Sequence, residues 1–154
     1  MDGPDCKGTP ATAETAAYIT SPGRSRNMAA IRRRDTKPEV AVRSALHRSG
    51  YRFRKDYAIR LDGKLIRPDV AFTRQRVAVF IDGCFWHCCP EHGRQPGVNG
   101  EYWSLKLKGN VERDQRQAAA LRNADWEVLR FWEHEDLTAI LERVTLAVDT
   151  RRLA

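Results

Sequence analysis

The stretch IRPDVAFTRQRVAVFIDG, residues 66–83, decides the fold. Two apolar runs, IRPDVAF and VAVFIDG, flank the polar turn TRQR, and this spacing predicts an antiparallel hairpin. The second run is apolar at nearly every position, so it reads as a central strand covered on both faces. Upstream, YRFRKDY alternates Tyr51, Phe53 and Lys55 against Arg52, Arg54 and Asp56, which predicts a half-exposed strand. Downstream, WEVLRFWEHE predicts a fourth strand. Helical spacing covers 101–124, read as two helices broken near Gly109, with Tyr102, Leu105, Val111, Ala118 and Leu121 facing inward. A last helix is predicted over 135–150, with Leu137, Ile140, Leu141, Val144 and Ala147 on one face. The segment SRNMAAIRRRDTKPEVAVRSALHRSG predicts a short helix, a turn and a second helix that ends at Gly50. Thr36 and Glu39 fit a capping box, with Pro38 in the first turn. The order α-α-β-β-β-α-α-β-α predicts an α/β fold, a mixed central sheet flanked by helices.

The chain of 154 residues suits one domain. Residues 1–22 are rich in Pro, Thr, Ala and Gly and read as a flexible tail. Residues 23–154 read as the domain, opened by a basic arm at 23–35. Apolar residues make up 42% of the chain, and no apolar run approaches the roughly 20 residues of a membrane span. The N-terminus lacks the basic start and apolar middle of a signal peptide, so a cytoplasmic location is expected. The net charge is +7, with a pI near 9.6. Arg24, Arg26, Arg32, Arg33 and Arg34 crowd one stretch, and Lys106, Lys108, Arg113 and Arg116 another. Such clusters favour a polyanion, because phosphates release counterions to a basic surface.

Four constellations carry chemistry. Asp69 lies on one strand of the predicted hairpin, and Ile81 and Asp82 end the other. A carboxylate beside further oxygens suits a hard cation such as Mg²⁺, which can offset charge on a phosphodiester. Cys84, Cys89 and His92 form a compact cluster, and His134 follows the last strand; together they could close a tetrahedral zinc site. Cys88 and His87 compete for that role, as Glu91 does with His92. Four cysteines spaced in this way make a poor disulfide framework. If zinc is held by the others, His87 is left as a candidate general base. Phe85, Trp86 and Trp103 could wedge into a base stack or belong to the core; Trp126 and Trp132 read as core. In KGNVERDQR, Asn110, Arg113 and Asp114 read either as a solvated helix or as a phosphate-facing one, with Asp114 orienting an imidazole.

Taken together, RNMAAIRRRDTKPE, RPDVAF, VAVFIDGCFWH, EYW, KGNVERD and WEVLRFWE resemble, in order across roughly residues 24 to 135, the very-short-patch repair (Vsr-type) DNA mismatch endonucleases of bacteria. The resemblance implies a restriction-endonuclease-like fold of the PD-(D/E)XK type with a structural zinc. It implies a Mg²⁺-dependent nick beside the thymine of a T·G mismatch, the product of 5-methylcytosine deamination. Asp69 matches the metal-binding aspartate, and Ile81 a position that lends its carbonyl to metal. His87 matches the histidine that activates water, Asp114 the acid that supports a histidine, and Glu39 an acid near the metals. Phe85, Trp86 and Trp103 match intercalating aromatics. Met28 matches an apolar residue of the N-terminal arm, beside Arg26. Cys84, Cys89 and His134 match zinc-ligand positions, and His92 replaces a cysteine. Where the family often has a second histidine, this chain has Asp82, which could ligate Mg²⁺ or stabilise leaving-group water. Lys106, Asn110 and Arg113 are expected against DNA.

The expected partner is therefore double-stranded DNA carrying a T·G mismatch. The enzyme is expected to be a monomer at the bacterial nucleoid, with mismatch-repair proteins as further candidate partners. Two other readings stay open: a zinc-stabilised DNA-binding module without cleavage, and a restriction-type endonuclease cutting both strands.

Overall fold

A computed structural model describes residues 21–23, 26, 34–93 and 97–154. Its elements are α1 (Lys37–Arg48), β1 (Ile59–Leu61), β2 (Lys64–Ile66), β3 (Val70–Phe72), β4 (Val77–Asp82), α2 (Gly100–Asn123), β5 (Glu127–Trp132) and α3 (Leu137–Leu153). The tail, Met28 and most of the basic arm with its expected first helix lie outside the described residues. No helix of the described residues is long and apolar enough to cross a membrane.

Strand β4 organises the molecule. It pairs antiparallel with β3 and parallel with β5, giving a mixed three-stranded sheet in the order β3-β4-β5. All six of its residues are buried, because both faces of the sheet are covered. Val77, Val79 and Ile81 pack with Val42 and Leu46 of α1 and with Ile140, Val144 and Val148 of α3. Ala78 and Phe80, pointing the other way, pack with Leu121 of α2 and with Ile59 and Ile66 of the small hairpin. Each such aliphatic or aromatic side chain contributes on the order of 1.5–3 kcal/mol. Asp82 shares the α2 face with Phe80, and that parity places it at the site described below.

The structure departs from the sequence reading in several places, and Leu105, expected to face inward, is exposed. The run IRPDVAF is not one strand: Pro68 lacks a ladder N–H, and the chain leaves β2 before it and enters β3 after it. β2 pairs instead with β1 in a separate two-stranded hairpin. The turn of that hairpin is Asp62-Gly63, with φ of 48° and 72°, the backbone that an Asp-Gly pair favours. YRFRKDY is not a strand either: Arg54 alone bridges Ala71, while Tyr51 and Phe53 pack edge-on against Phe72. Its alternation records packing on the core without a ladder. Helix α2 runs unbroken through Gly109; a helical glycine costs about 1 kcal/mol, and buried Trp103 and Leu107 before it and Ala118 and Leu121 after it hold the helix in place. Finally, Thr36 occupies the N-cap of α1, but its side chain makes no capping bond. Glu39 reaches one residue further back and accepts from the Asp35 N–H at 2.8 Å.

Candidate active site and metal centre

The C-terminal end of β4 gathers most of the side chains singled out in the sequence. The Asp69 N–H donates to the Val79 carbonyl at 3.0 Å, and the Ile81 N–H donates to Asp69 Oδ2 at 2.7 Å. The hairpin thus sets the Asp69 carboxylate beside the Ile81 backbone. Burial pushes Asp69 up to about 7; the Glu39 and Asp82 carboxylates push the same way, against the Ile81 N–H and the Arg43 guanidinium. Glu39 is itself buried, 3.6 Å from Arg43 Nη1. A buried carboxylate crowded by two others is a donor set for a hard divalent cation, which would relieve that crowding.

His87 sits in the loop after β4, and its Nδ1 is hydrogen-bonded to Asp114 Oδ2 of α2. Burial works to raise Asp114, but the His87 contact, then Arg130 and Arg113, outweigh it and hold the carboxyl below the usual range. Asp114 is therefore the anion that fixes the ring, leaving Nε2 as the working nitrogen. Asp82 Oδ1 lies 3.8 Å from the same Nδ1. Both Asp82 oxygens are held by Arg130, at 2.8 Å from Nε and 2.7 Å from Nη2. Arg130 also lies 3.5 Å from Asp114 and stacks 4.5 Å over the Phe80 ring. A cavity of about 350 Å³ opens here, lined by Asp82, His87, Asp114, Arg130 and Trp132 among others.

Sequence reasoning missed Arg130, which reads as one polar position on a strand. Its role appears only when α2 brings Asp114 opposite β5. Replacing Arg130 with methionine would leave Asp82 buried without its partner, at an expected cost of about 3–5 kcal/mol. Urea unfolding measures this; an unmoved midpoint would remove the structural role of the pair.

The Cys/His cluster closes on the far side of the same loop. One ligand atom each of Cys84, Cys89, His92 and His134 lies within 4.8 Å of all the others. Cys84 Sγ is 3.1 Å from His134 Nδ1, and Cys89 Sγ is 3.8 Å from His134 Nδ1 and 3.9 Å from His92 Nδ1. Bond lengths of zinc to sulfur and nitrogen in a tetrahedron require sulfur–nitrogen edges of about 3.6 Å, so the donor set fits a structural zinc. Burial, then the neighbouring Cys89, pushes the Cys84 thiol up to about 12, as expected for paired buried sulfurs without a cation. Glu91 is not in the set; its Oε2 lies 3.5 Å from His134 Nε2. Cys88 is also outside it. Its backbone has φ of 55°. The Cys84 N–H donates to Glu133 Oε1 at 2.9 Å. Gly93 closes the loop: a Cβ there would lie 2.5 Å from the Cys89 carbonyl oxygen.

Phe85 and Trp86 are half-buried and cluster with Trp103, with ring centroids 5.0–5.8 Å apart. Trp103 is buried, so it does not project as expected but backs the other two. Lys106 Nζ lies 5.2 Å over the Trp103 ring and 5.8 Å over Trp86. Asn110 is committed to the loop, donating to the Trp86 carbonyl at 3.2 Å. Arg113 lies near Asp114, at 3.4 Å, and Arg26 is exposed.

The end of β4 thus carries a buried carboxylate on one side and, in the loop after it, an imidazole held by a second carboxylate, next to a Cys/His cluster that could hold a metal. The sequence profile of the family described as DNA mismatch endonuclease Vsr matches residues 17–91. The type II nicking enzyme V.NaeI of Lentzea aerocolonigenes is 60% identical over 129 residues, covering 83% of this chain and 76% of that protein. V.XorIIP of Xanthomonas oryzae pv. oryzae, also a type II nicking enzyme, is 42% identical over 84% of this chain and 95% of its own length. The DNA mismatch endonuclease Vsr of Escherichia coli is 40% identical over 71% of this chain and 69% of its own. The chain belongs to this Vsr family of DNA endonucleases.

Proposed function

We propose that the protein nicks one strand of duplex DNA beside the thymine of a T·G mismatch, with Mg²⁺, in the repair of deaminated 5-methylcytosine, on a restriction-endonuclease-like fold of the PD-(D/E)XK type. The observation that carries this is the Asp69 carboxylate bound to the Ile81 N–H at the end of β4, with the His87–Asp114 pair in the loop that follows the same strand. The relatives named as nicking enzymes and as a mismatch endonuclease support the strand and substrate assignment.

Asp69 and the Ile81 carbonyl would hold Mg²⁺, with Glu39 nearby. When bound, the ion supplies Lewis acidity that offsets charge on the phosphate in flight. His87 Nε2 takes the proton from the attacking water, and Asp114 keeps the ring oriented and stabilises the imidazolium that results. Arg130 holds Asp82 and so keeps a second carboxylate from competing for the His87 ring. Phe85 and Trp86, braced from below by Trp103, enter the base stack. A mispaired step opens at lower cost, so the rings select it. Lys106 and Arg113 face the phosphates, and Arg26 and Met28 belong to an arm that grips the duplex. Cys84, Cys89, His92 and His134 would hold a zinc, which would stiffen the loop that bears both rings and base.

The test is an end-labelled duplex with a T·G mismatch and its matched control, incubated with Mg²⁺ or EDTA. One nick, in one strand, only in the mismatched duplex and only with Mg²⁺, is the expected result. His87→Ala should slow it by about 10²–10⁴-fold. Cutting of both strands in the matched duplex would point instead to a restriction-type enzyme, and binding without any nick to a DNA-binding module.

A further inference from the structure

We infer that a second cavity, between the β1–β2 hairpin and α2, seats a backbone phosphate of the bound duplex near the nick. This rests on the function proposed above and extends it to residues outside the β4 site. The cavity has a volume of about 420 Å³. Lys64 of the hairpin and Arg113 and Arg116 of α2 line it with Gln117, over an apolar floor that includes Ile66. Three cations face one carboxylate, Asp62. The Lys64 and Arg116 side chains make no hydrogen bond or ion pair among the described residues, and the Arg113 side chain reaches only Asp114, at 3.4 Å. Basic side chains at the mouth of a cavity and without anionic partners have the chemistry that binds a phosphodiester.

The position of the cavity argues for DNA and against a free anion. α2 separates it from the catalytic cavity. Val111, Asp114, Gln115 and Ala118 line the catalytic side, and Arg113, Arg116, Gln117 and Ala120 line this one. At 3.6 residues per turn these two sets lie on opposite flanks of the helix. The helix is about 10 Å wide, and a DNA strand advances about 3.4 Å per nucleotide along the duplex axis while winding round it, so its phosphates lie further apart than that rise. One strand lying across the α2 ridge would thus present phosphates to both cavities roughly one to two nucleotides apart. The hairpin gives the second cavity its far wall, so β1–β2 acts as a phosphate clamp.

The experiment measures duplex affinity and single-turnover nicking on T·G duplexes that each carry one neutral methylphosphonate linkage, stepped away from the nick on either strand. The wild-type protein should lose affinity by about tenfold when the linkage roughly one to two nucleotides away is neutral, with its rate at saturation unchanged. The Lys64→Ala/Arg116→Ala protein should bind the ordinary duplex more weakly by a similar factor and lose nothing further on that neutral linkage. Its plot of log affinity against log salt should be shallower by about one to two units. Lys64→Gln/Arg116→Gln should behave alike, which separates lost charge from lost packing. Variants that bind as tightly as wild type, or that lose a further tenfold on the neutral linkage, would overturn the inference. An absence of nicking with this affinity pattern intact would overturn the proposed function and leave the clamp standing.

Discussion

Replacing Asp69 with asparagine will slow nicking by about a thousandfold or more, and will make the metal-free protein more stable above pH 7. The two effects have one cause. Asp69 is buried among Glu39 and Asp82, and its folded value is pushed up to about 7 from an ordinary 3.8. Between those values the folded protein keeps a proton that the unfolded chain has released. Stability therefore falls as pH rises through that window, and above about pH 7 the whole cost is present, on the order of 4 kcal/mol at most. Asparagine has nearly the same shape without the charge, so it removes the cost. It also removes the anionic oxygen that would hold Mg²⁺, whose stabilisation of transition-state charge amounts to several kcal/mol. Thermal melts at pH 5 and pH 8, with and without Mg²⁺, measure both. The wild type should melt lower at pH 8 and recover with Mg²⁺, whereas the variant should show less of the pH effect and little response to Mg²⁺. A variant that still nicks at near wild-type rate, or whose melting responds to Mg²⁺ as the wild type does, would remove Asp69 from the metal site.

The contact of Asp69 with the Ile81 backbone was legible in the sequence as far as local geometry reaches. A four-residue turn, TRQR, obliges Asp69 to return beside Ile81, so the pairing follows from the hairpin alone. The spacing of Cys84, Cys89 and His92 likewise makes a cluster within one loop, and the turn at Cys88 is what directs that side chain elsewhere. Side-chain periodicity had no means to read that turn. Contacts between distant elements were less legible. Arg130 is 48 residues from Asp82 in the chain, and nothing in WEVLRFWE marks it as a partner. Asn110 looked like a phosphate contact because its neighbours are basic; the structure uses its amide to tie Trp86 to α2. The β1–β2 hairpin was legible and missed, since LDGK carries an Asp-Gly turn between two short runs. Gly109 misled in the opposite direction, because a propensity cost of about 1 kcal/mol is small against the burial that spans it.

With zinc on the cluster as proposed, replacing Cys84 with serine will release the metal and slow nicking severely while leaving most of the secondary structure in place. The reasoning starts from what else holds the loop. Between residues 83 and 93 the backbone bonds are His87 to Gly83 at 3.2 Å, Cys89 to Cys84 at 2.9 Å and Gly93 to Cys89 at 2.8 Å. All three lie within the loop, so they shape it without anchoring it. Its ties to the rest of the domain are Glu133 on the Cys84 N–H, Asn110 on the Trp86 carbonyl, Asp114 on His87, the ring contacts to Trp103 and the thiol–imidazole contacts to His134. A structural zinc stabilises an isolated finger by about 10–16 kcal/mol. Here the β3-β4-β5 sheet has its own core, so only part of that energy would be needed for folding and the rest would fix the loop. Loss of zinc should therefore cost activity far more than helix and strand content, because His87, Phe85 and Trp86 all ride on the loop. Metal analysis should find one zinc per wild-type chain and none in Cys84→Ser. Cys88→Ser, outside the cluster, should keep it. Far-UV circular dichroism should change little in Cys84→Ser at low temperature, while its melting temperature falls and nicking drops by about a thousandfold. A folded wild-type protein without zinc, or a Cys88→Ser protein that loses it, would reassign the cluster.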